Sequence, residues 1–149
     1  MPVEIVRKQA SGTFSNRELK RIALKILELV EQSQAELSIA LVNNKEIRKL
    51  NAQYRRKDYP TDVLSFLAGN GLPSKVRLLG DVVISVEKAE EQAKQRGRTV
   101  NEETATLLIH GILHLLGYDH ERSPSAARIM GRLEKKIYRT LCEQGILKV

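Results

Sequence analysis

Apolar positions along the chain change repeatedly between the alternation typical of strands and the three-to-four-residue spacing typical of helices. The alternating or short apolar runs predict strands at 3–8, 37–42, 63–67 and 79–85. The helical spacing predicts helices that begin after Ser15, after Asn43 or Asn44, at Glu87, after Thr99 and after Ser123. No repeat or low-complexity linker separates these elements. The sequence therefore predicts one α/β domain over residues 1–149, with a small sheet and about five helices.

Polar residues at the predicted helix starts support these boundaries. Ser15 with Glu18, and Thr99 with Glu102, have the spacing of a capping box, in which two side chains satisfy free amides of the first turn. Between the third and fourth strands, the glycine- and proline-containing segment Gly69–Ser74 predicts a loop.

All three histidines of the chain lie in one segment, HGILHLLGYDH, at the end of a predicted helix. His110 and His114 are four residues apart, so their rings leave the same helix face. Gly117 can end the helix in the left-handed conformation and turn the chain back, which brings His120 towards the other two rings. Three imidazoles and one open position are typical of a catalytic zinc site. We therefore predict one zinc ion per chain, or another divalent transition metal, bound by these histidines.

The histidine spacing, H-x-x-x-H-x-x-G-x-x-H, is that of the metzincin zinc proteases, and it indicates a metalloprotease-like arrangement around a histidine helix. These proteases carry a glutamate directly after the first histidine, where it acts as the base that activates water. This chain has Gly111 at that position, and glycine cannot move a proton. Peptide hydrolysis is therefore an alternative rather than the main hypothesis.

Basic residues outnumber acidic ones by 25 to 18, which gives a net charge of +7 and a pI near 9.7. The excess is concentrated in 45–58 and 121–139, each with six basic and two acidic residues. Basic surface beside a metal site suits a polyanionic substrate such as a nucleic acid. Within the first block, Arg55, Arg56 and Lys57 are all candidates to bind phosphate, and the residue types alone do not choose between them.

Composition argues against several other classes of protein. The single cysteine, Cys142, cannot form a disulfide within the chain, and the sequence has no secretory signal and no membrane-spanning apolar run. We therefore expect a cytoplasmic protein without a membrane partner. Aromatic residues make up only 4% of the chain, so recognition of a nucleic acid would depend on backbone charge and shape more than on base stacking.

Three segments resemble the YbeY family of bacterial endoribonucleases: YRRKDYPTDVLSF (54–66), LGDVVIS (79–85) and HGILHLLGYDH (110–120). Their order and spacing agree with the family over essentially the whole chain. The resemblance implies a four-stranded mixed sheet packed with helices, the histidine helix lying at the centre. It also implies a metal-dependent, single-strand-specific endoribonuclease that acts in ribosomal RNA maturation and small-subunit quality control. The expected partners are single-stranded RNA, ribosomal RNA and the small ribosomal subunit, with no DNA substrate and a monomer as the default state.

The resemblance also assigns residues to roles. It implies zinc ligands at His110, His114 and His120. We also predict that His114 is a catalytic residue, with Arg55, and that its loss removes metal and cleavage together. It places the functionally important arginine of the family at Arg55. Many family members carry glycine where this chain has Arg56, which adds positive charge beside the site, and we predict that Arg56 and Lys57 bind substrate.

Two reaction routes and two other functions stay open at this point. The nucleophile is either water activated by the metal or the 2′-hydroxyl of the RNA, and Arg55 would stabilise negative charge on the phosphate in both cases. The alternative functions are a metalloprotease-like hydrolase and a non-catalytic, RNA-binding ribosome assembly factor with a structural metal. A fourth protein ligand such as Asp119 would favour the structural metal, whereas an open position facing a basic groove would favour catalysis.

Overall fold

The computed structural model describes residues 3–8, 12–68 and 77–148. In chain order the elements are β1 (Val3–Arg7), α1 (Asn16–Leu29), β2 (Ala35–Val42), α2 (Asn44–Arg55), β3 (Val63–Leu67), β4 (Arg77–Ser85), α3 (Val86–Arg96), α4 (Val100–Leu115) and α5 (Pro124–Glu143). Every strand and helix predicted from the sequence is present, and the predicted loop Gly69–Ser74 lies outside the described residues. Within the described ranges, no helix is long and apolar enough to cross a bilayer.

The strands form one mixed sheet in the order β1-β2-β4-β3. β1, β2 and β4 run parallel, and β3 pairs antiparallel with β4. The four-stranded mixed sheet implied by the family resemblance is therefore confirmed. β2 and β4 each begin two residues before the predicted starts, at Ala35 and Arg77, and their register shifts between Glu36 and Leu37. The shift is a β-bulge in β4, where Leu79 has no counterpart in β2, and the alternation of buried positions in β2 already begins at Ala35.

Capping boxes begin α1 and α4, as predicted. At α1, the Ser15 hydroxyl accepts a hydrogen bond from the Glu18 amide at 3.2 Å, and the Glu18 carboxylate accepts from the Ser15 amide at 3.1 Å. Thr99 and Glu102 make the same two bonds at α4, at 3.1 and 3.0 Å. Of the two asparagines considered for α2, Asn43 is the capping residue. These bonds satisfy amides that the helices themselves leave free, and they fix where each helix begins.

The central helix of the fold is α4, which is buried along most of its length. One side of α4 contacts β3 and β4, and α3 and α5 pack against other sides. Its fully buried side chains Leu108, Ile109 and Ile112 belong to the main hydrophobic core. Full burial of a side chain of this size contributes roughly 1.5–3 kcal/mol. The histidines near the end of α4 are therefore presented by a firmly held helix.

A left-handed residue ends α2. Arg56 has φ 57° and ψ 33°, in the region that favours glycine. A side chain with a Cβ is strained there by about 1–2 kcal/mol. The strain comes at the position where the chain leaves α2 and turns towards β3.

We predict that Arg56→Gly raises the free energy of unfolding by roughly 0.5–1 kcal/mol, because relief of the strain exceeds the extra chain entropy that glycine gives the unfolded state. Urea denaturation measures the change. Arg55→Gly, one residue earlier and still helical, is the matched control and should lower the free energy of unfolding, since glycine disfavours helix. A lower unfolding midpoint for Arg56→Gly would contradict the prediction.

Candidate active site

The glycine turn after α4 returns the chain towards the histidine face. α4 ends two residues before Gly117, which has φ +100°, a conformation that side chains with a Cβ rarely adopt. The Tyr118 amide then donates to the Leu113 carbonyl at 3.1 Å and closes the turn. As a result, the ring centroids of His110 and His120 lie 5.0 Å apart. The predicted reversal of the chain is confirmed.

The ring of His114 lies farther away, with its centroid 6.3 Å from that of His110. Two imidazoles on one tetrahedral zinc, with Zn–N bonds of about 2.0–2.1 Å, have centroids about 5 Å apart. The pair His110 and His120 matches this spacing, whereas His114 has to rotate inward. Accordingly, no group of three or more His, Cys, Asp or Glu side chains in the described part of the chain is already arranged around one metal position. The His114 ring is exposed, and the donor chemistry of the three imidazoles fits zinc.

Glu134 in α5 holds the ring of His110. Its Oε2 atom lies 2.8 Å from His110 Nδ1. This hydrogen bond raises the pKa of His110, while burial of the ring acts in the opposite direction. A carboxylate that accepts from Nδ1–H leaves Nε2 with the free lone pair, which is the usual arrangement for a metal-binding histidine. Glu134 was not predicted from the sequence, although one signal was available, since it is the only acidic residue between Arg122 and Arg139.

The histidines line an open cavity of about 510 Å³. Its walls come from the ends of α2 and α3, the residues around the start of β3, α4 with the turn that follows it, and α5. The lining residues are Arg55, Thr61, Asp62, Val63, Leu64, Ser65, Arg96, Thr106, Leu107, His110, His114, His120, Glu121 and Glu134. Arg55 therefore shares one space with all three histidines. Arg56 and Lys57 are exposed and do not line this cavity, so their binding of substrate stays a prediction.

A buried asparagine fixes the segment that follows Arg55. Asn51, one turn earlier in α2, is fully buried. Its backbone carbonyl oxygen accepts a hydrogen bond from the Lys57 amide at 3.2 Å, and its side-chain amide donates to the Tyr59 carbonyl at 2.9 Å. These bonds hold the turn against the helix, and the end of α2 keeps its direction towards the cavity. The role of Asn51 was not predicted, because a polar residue on an amphipathic helix gives no sign of burial in the sequence.

Asp62 is bound into the wall of the cavity at the start of β3. Its Oδ1 atom accepts from the Val63 amide at 2.8 Å, and its Oδ2 atom accepts from Gln92 Nε2 at 3.2 Å. The negative charge of Asp62 also contributes to the raised pKa of His110. Asp62 therefore fixes the entry to β3 and adds negative potential beside the histidines.

Close packing explains the glycine that follows the first histidine. A Cβ at Gly111 would lie 2.6 Å from Val82 Cγ1 and 3.3 Å from Ser65 Oγ. The Ser65 hydroxyl also donates to the Gly111 carbonyl at 2.9 Å. Position 111 therefore faces the sheet, and a glutamate there would collide with β4. The helix is too close to the sheet to carry the base of a zinc protease at this position.

We predict that Gly111→Ala lowers the free energy of unfolding by about 1–3 kcal/mol, because the new methyl group must displace Val82. Helix propensity alone would favour alanine by roughly 1 kcal/mol. A net decrease in the free energy of unfolding would therefore show that the new methyl group clashes with Val82. Gly131→Ala in α5 is the matched control, since a Cβ there meets nothing within 4 Å and should stabilise the protein. Chemical denaturation compares the two variants. Stabilisation by Gly111→Ala would contradict the close approach of α4 to the sheet.

Comparison with known proteins gives a consistent set of relatives. Residues 4–142 match the family model described as Endoribonuclease YbeY. An Endoribonuclease YbeY from Sulfurihydrogenibium sp. (strain YO3AOP1) is 47% identical over 141 residues, which cover 94% of this chain and 90% of the relative. Another from Persephonella marina (strain DSM 14350 / EX-H1) is 45% identical over 138 residues, covering 92% and 90%. A solution structure of a Thermotoga maritima protein matches with a TM-score of 0.66 and 29% identity, over 95% of this chain and 90% of that one.

The fold and these matches define the class of the protein as an endoribonuclease. Within that class, the chain belongs to the YbeY family. The resemblance carried by the segments 54–66, 79–85 and 110–120 is thereby confirmed, together with the mixed α/β fold that it implied.

Proposed function

We propose that the chain cleaves single-stranded RNA in the cavity of about 510 Å³, with one zinc ion, or another divalent transition metal, bound by His110, His114 and His120. The observation that carries the proposal is that one open space is lined by Arg55 and by all three imidazoles. The family to which the chain belongs supports RNA as the substrate. The Glu134 carboxylate lies within hydrogen-bond distance of His110 Nδ1, the ring nitrogen that would not bind the metal. This contact supports a metal-binding role for His110.

Arg55 supplies a permanent positive charge for the phosphate that is cleaved. Its planar guanidinium can donate two parallel hydrogen bonds to phosphate oxygens, and it stays charged as negative charge builds on the phosphate. Bound zinc would supply Lewis-acid polarisation and would bring the pKa of a water ligand to about 7. Glu134 orients His110 and keeps its Nε2 lone pair free. Either water or the RNA 2′-hydroxyl serves as the nucleophile in this arrangement.

Two observations count against the alternative functions. Peptide hydrolysis of the metzincin type needs a carboxylate directly after the first histidine, and Gly111 has no room for one. A structural metal would be favoured by a fourth protein ligand such as Asp119. Asp119 does not line the cavity, and its Oδ1 atom instead accepts from the Glu121 amide at 2.9 Å. An open cavity beside Arg55 favours catalysis over a structural role.

We further propose that ribosomal RNA of the small subunit is the biological substrate and that the chain acts as a monomer in the cytoplasm. Resemblance to the family supports the ribosomal substrate. The net charge of +7 supports a polyanionic partner, and the single cysteine suits a reducing compartment.

Metal analysis and an RNA cleavage assay on the same purified protein test this function. We expect equimolar zinc, and cleavage of an unstructured single strand but not of the duplex with the same sequence. EDTA should remove the activity, and added zinc should restore it. Cleavage by metal-free protein would contradict the role of the metal. No cleavage of any single strand by the metal-loaded protein would contradict the proposed activity.

A further inference from the structure

A second concave surface lies beside the histidine cavity, in the groove between α4 and α5. This α4/α5 groove has a volume of about 650 Å³, within the roughly 300–1,000 Å³ typical of ligand pockets. Thr106 and Glu134 line both the groove and the histidine cavity, so the two spaces adjoin. The proposed cleavage chemistry makes no use of the groove.

The α4/α5 groove has an apolar floor and a cationic rim. Ile109, Gly131 and the half-buried Cys142 contribute to the floor. Lys135 and Arg139 stand exposed at the rim, one turn apart on α5. Neither forms an ion pair with any residue that the structure describes. Their charges are therefore available to an anionic ligand.

Arg98 contributes a third cation on the opposite wall. Its guanidinium carbon lies 5.2 Å from the Tyr138 ring centroid, and its Nη2 donates to Thr106 Oγ1 at 3.0 Å. The Tyr138 hydroxyl in turn donates to Glu102 at 3.0 Å. Arg98 is partly neutralised by the buried Glu103, 3.9 Å away. Lys135 and Arg139 are thus the groove cations that form no ion pair with a described residue, because Glu134, the carboxylate that also lines the groove, bonds His110.

The cationic rim continues along α5. Arg128, Arg132, Lys135 and Arg139 are four, three and four residues apart, so they lie on one face of the helix. At a rise of 1.5 Å per residue, this stripe is about 16 Å long. Like charges at these spacings repel one another and destabilise the helix unless an anion binds. The stripe accounts for most of the basic block 121–139, which the histidine cavity leaves unexplained.

We propose that the α4/α5 groove binds the stretch of RNA next to the phosphate being cleaved, with phosphates on Lys135 and Arg139 and a base against the apolar floor. The inference rests on the proposed function, because the groove adjoins the cavity in which cleavage would occur. RNA fits the groove better than an acidic peptide does. The groove has an apolar floor beside regularly spaced cations, and a nucleic-acid strand has bases beside regularly spaced phosphates. Lys135 and Arg139 do not line the histidine cavity, so their part is binding and not chemistry.

Two double variants with the same loss of charge test the proposal. K135A/R139A removes two cations from the groove. R17A/R21A removes two exposed cations, also four residues apart, from α1, where neither lines the groove or the cavity. Fluorescence anisotropy measures the binding of a labelled, 2′-O-methylated oligouridylate to the zinc-loaded protein at several salt concentrations. Each phosphate contact contributes about 0.7 to the slope of log K against log salt for a single strand.

We expect K135A/R139A to bind about tenfold more weakly at low salt and to reduce the slope by about 1.4, the value for two lost contacts. R17A/R21A should keep the wild-type slope, and the charge-conserving K135R/R139K should keep most of it. In cleavage assays, KM for RNA should rise in K135A/R139A while kcat stays unchanged. A wild-type slope in K135A/R139A, or an equal reduction in both alanine double variants, would overturn the proposal. Failure of the proposed function is distinguishable, because wild-type protein would then bind the probe yet cleave no RNA.

Discussion

Replacing His114 by alanine is expected to lower zinc affinity by a factor on the order of 10²–10³ and to remove RNA cleavage with it. A structural zinc-finger site is worth about 10–16 kcal/mol over its four ligands, so one ligand accounts for about 2.5–4 kcal/mol. Each 1.4 kcal/mol corresponds to roughly a factor of ten. Competition with a chromogenic chelator measures the affinity, and cleavage of a single-stranded RNA is followed at the same zinc concentration.

The loss in His114→Ala should occur without unfolding, because the His114 side chain is exposed and its removal opens no core cavity. The thermal midpoint of the metal-free protein should therefore match wild type. Glu134→Gln gives a graded comparison, since it keeps all three imidazoles and should weaken zinc binding by about 10–100-fold. Unchanged zinc affinity in His114→Ala would contradict its assignment as a ligand. Lost zinc with full cleavage would contradict metal dependence.

The parts of the fold that the sequence predicted depend on interactions within a few residues. The capping boxes at Ser15 and Thr99 join residues three positions apart, and the turn at Gly117 closes over five. The early starts of β2 and β4 could not be predicted in this way. They depend on the pairing of Ala35 with Arg77, about forty residues apart in the chain, and no local pattern encodes that pairing.

In the candidate site, too, the residues predicted from the sequence are those that depend on local spacing, and those that were missed depend on long-range contacts. Its histidines were predicted, because ligand spacing on a helix is a local property. The residue types alone did not show which of Arg55, Arg56 and Lys57 binds the phosphate that is cleaved, and Arg55 was predicted only from the family resemblance. The structure supplies a physical reason: Arg55 is the last residue of α2 and lines the cavity, whereas the left-handed Arg56 ends the helix and does not line it. The support that Glu134 gives His110 joins positions 24 apart in the chain, beyond the reach of any periodicity.

Arg55→Ala is expected to slow RNA cleavage by a factor on the order of 10²–10³ while zinc affinity stays at the wild-type value. One well-placed donor to a developing oxyanion is worth about 2.7–4 kcal/mol, which gives this range. Arg55 forms no ion pair with a described residue, so its truncation leaves no buried charge unpaired. Single-turnover cleavage with excess protein measures the chemical step, and chelator competition measures zinc binding.

Arg56→Ala is the matched control for Arg55→Ala, because it removes the same charge from the next residue, which is exposed and outside the cavity wall. If position decides the effect, Arg56→Ala should slow cleavage only a few-fold. Equal losses in the two variants would show that net charge matters and not placement. Arg55→Lys separates charge from geometry, since lysine keeps the positive charge but cannot hold two phosphate oxygens with one planar fork. Full activity of Arg55→Ala, in protein freed of contaminating nuclease, would contradict the role given to this arginine.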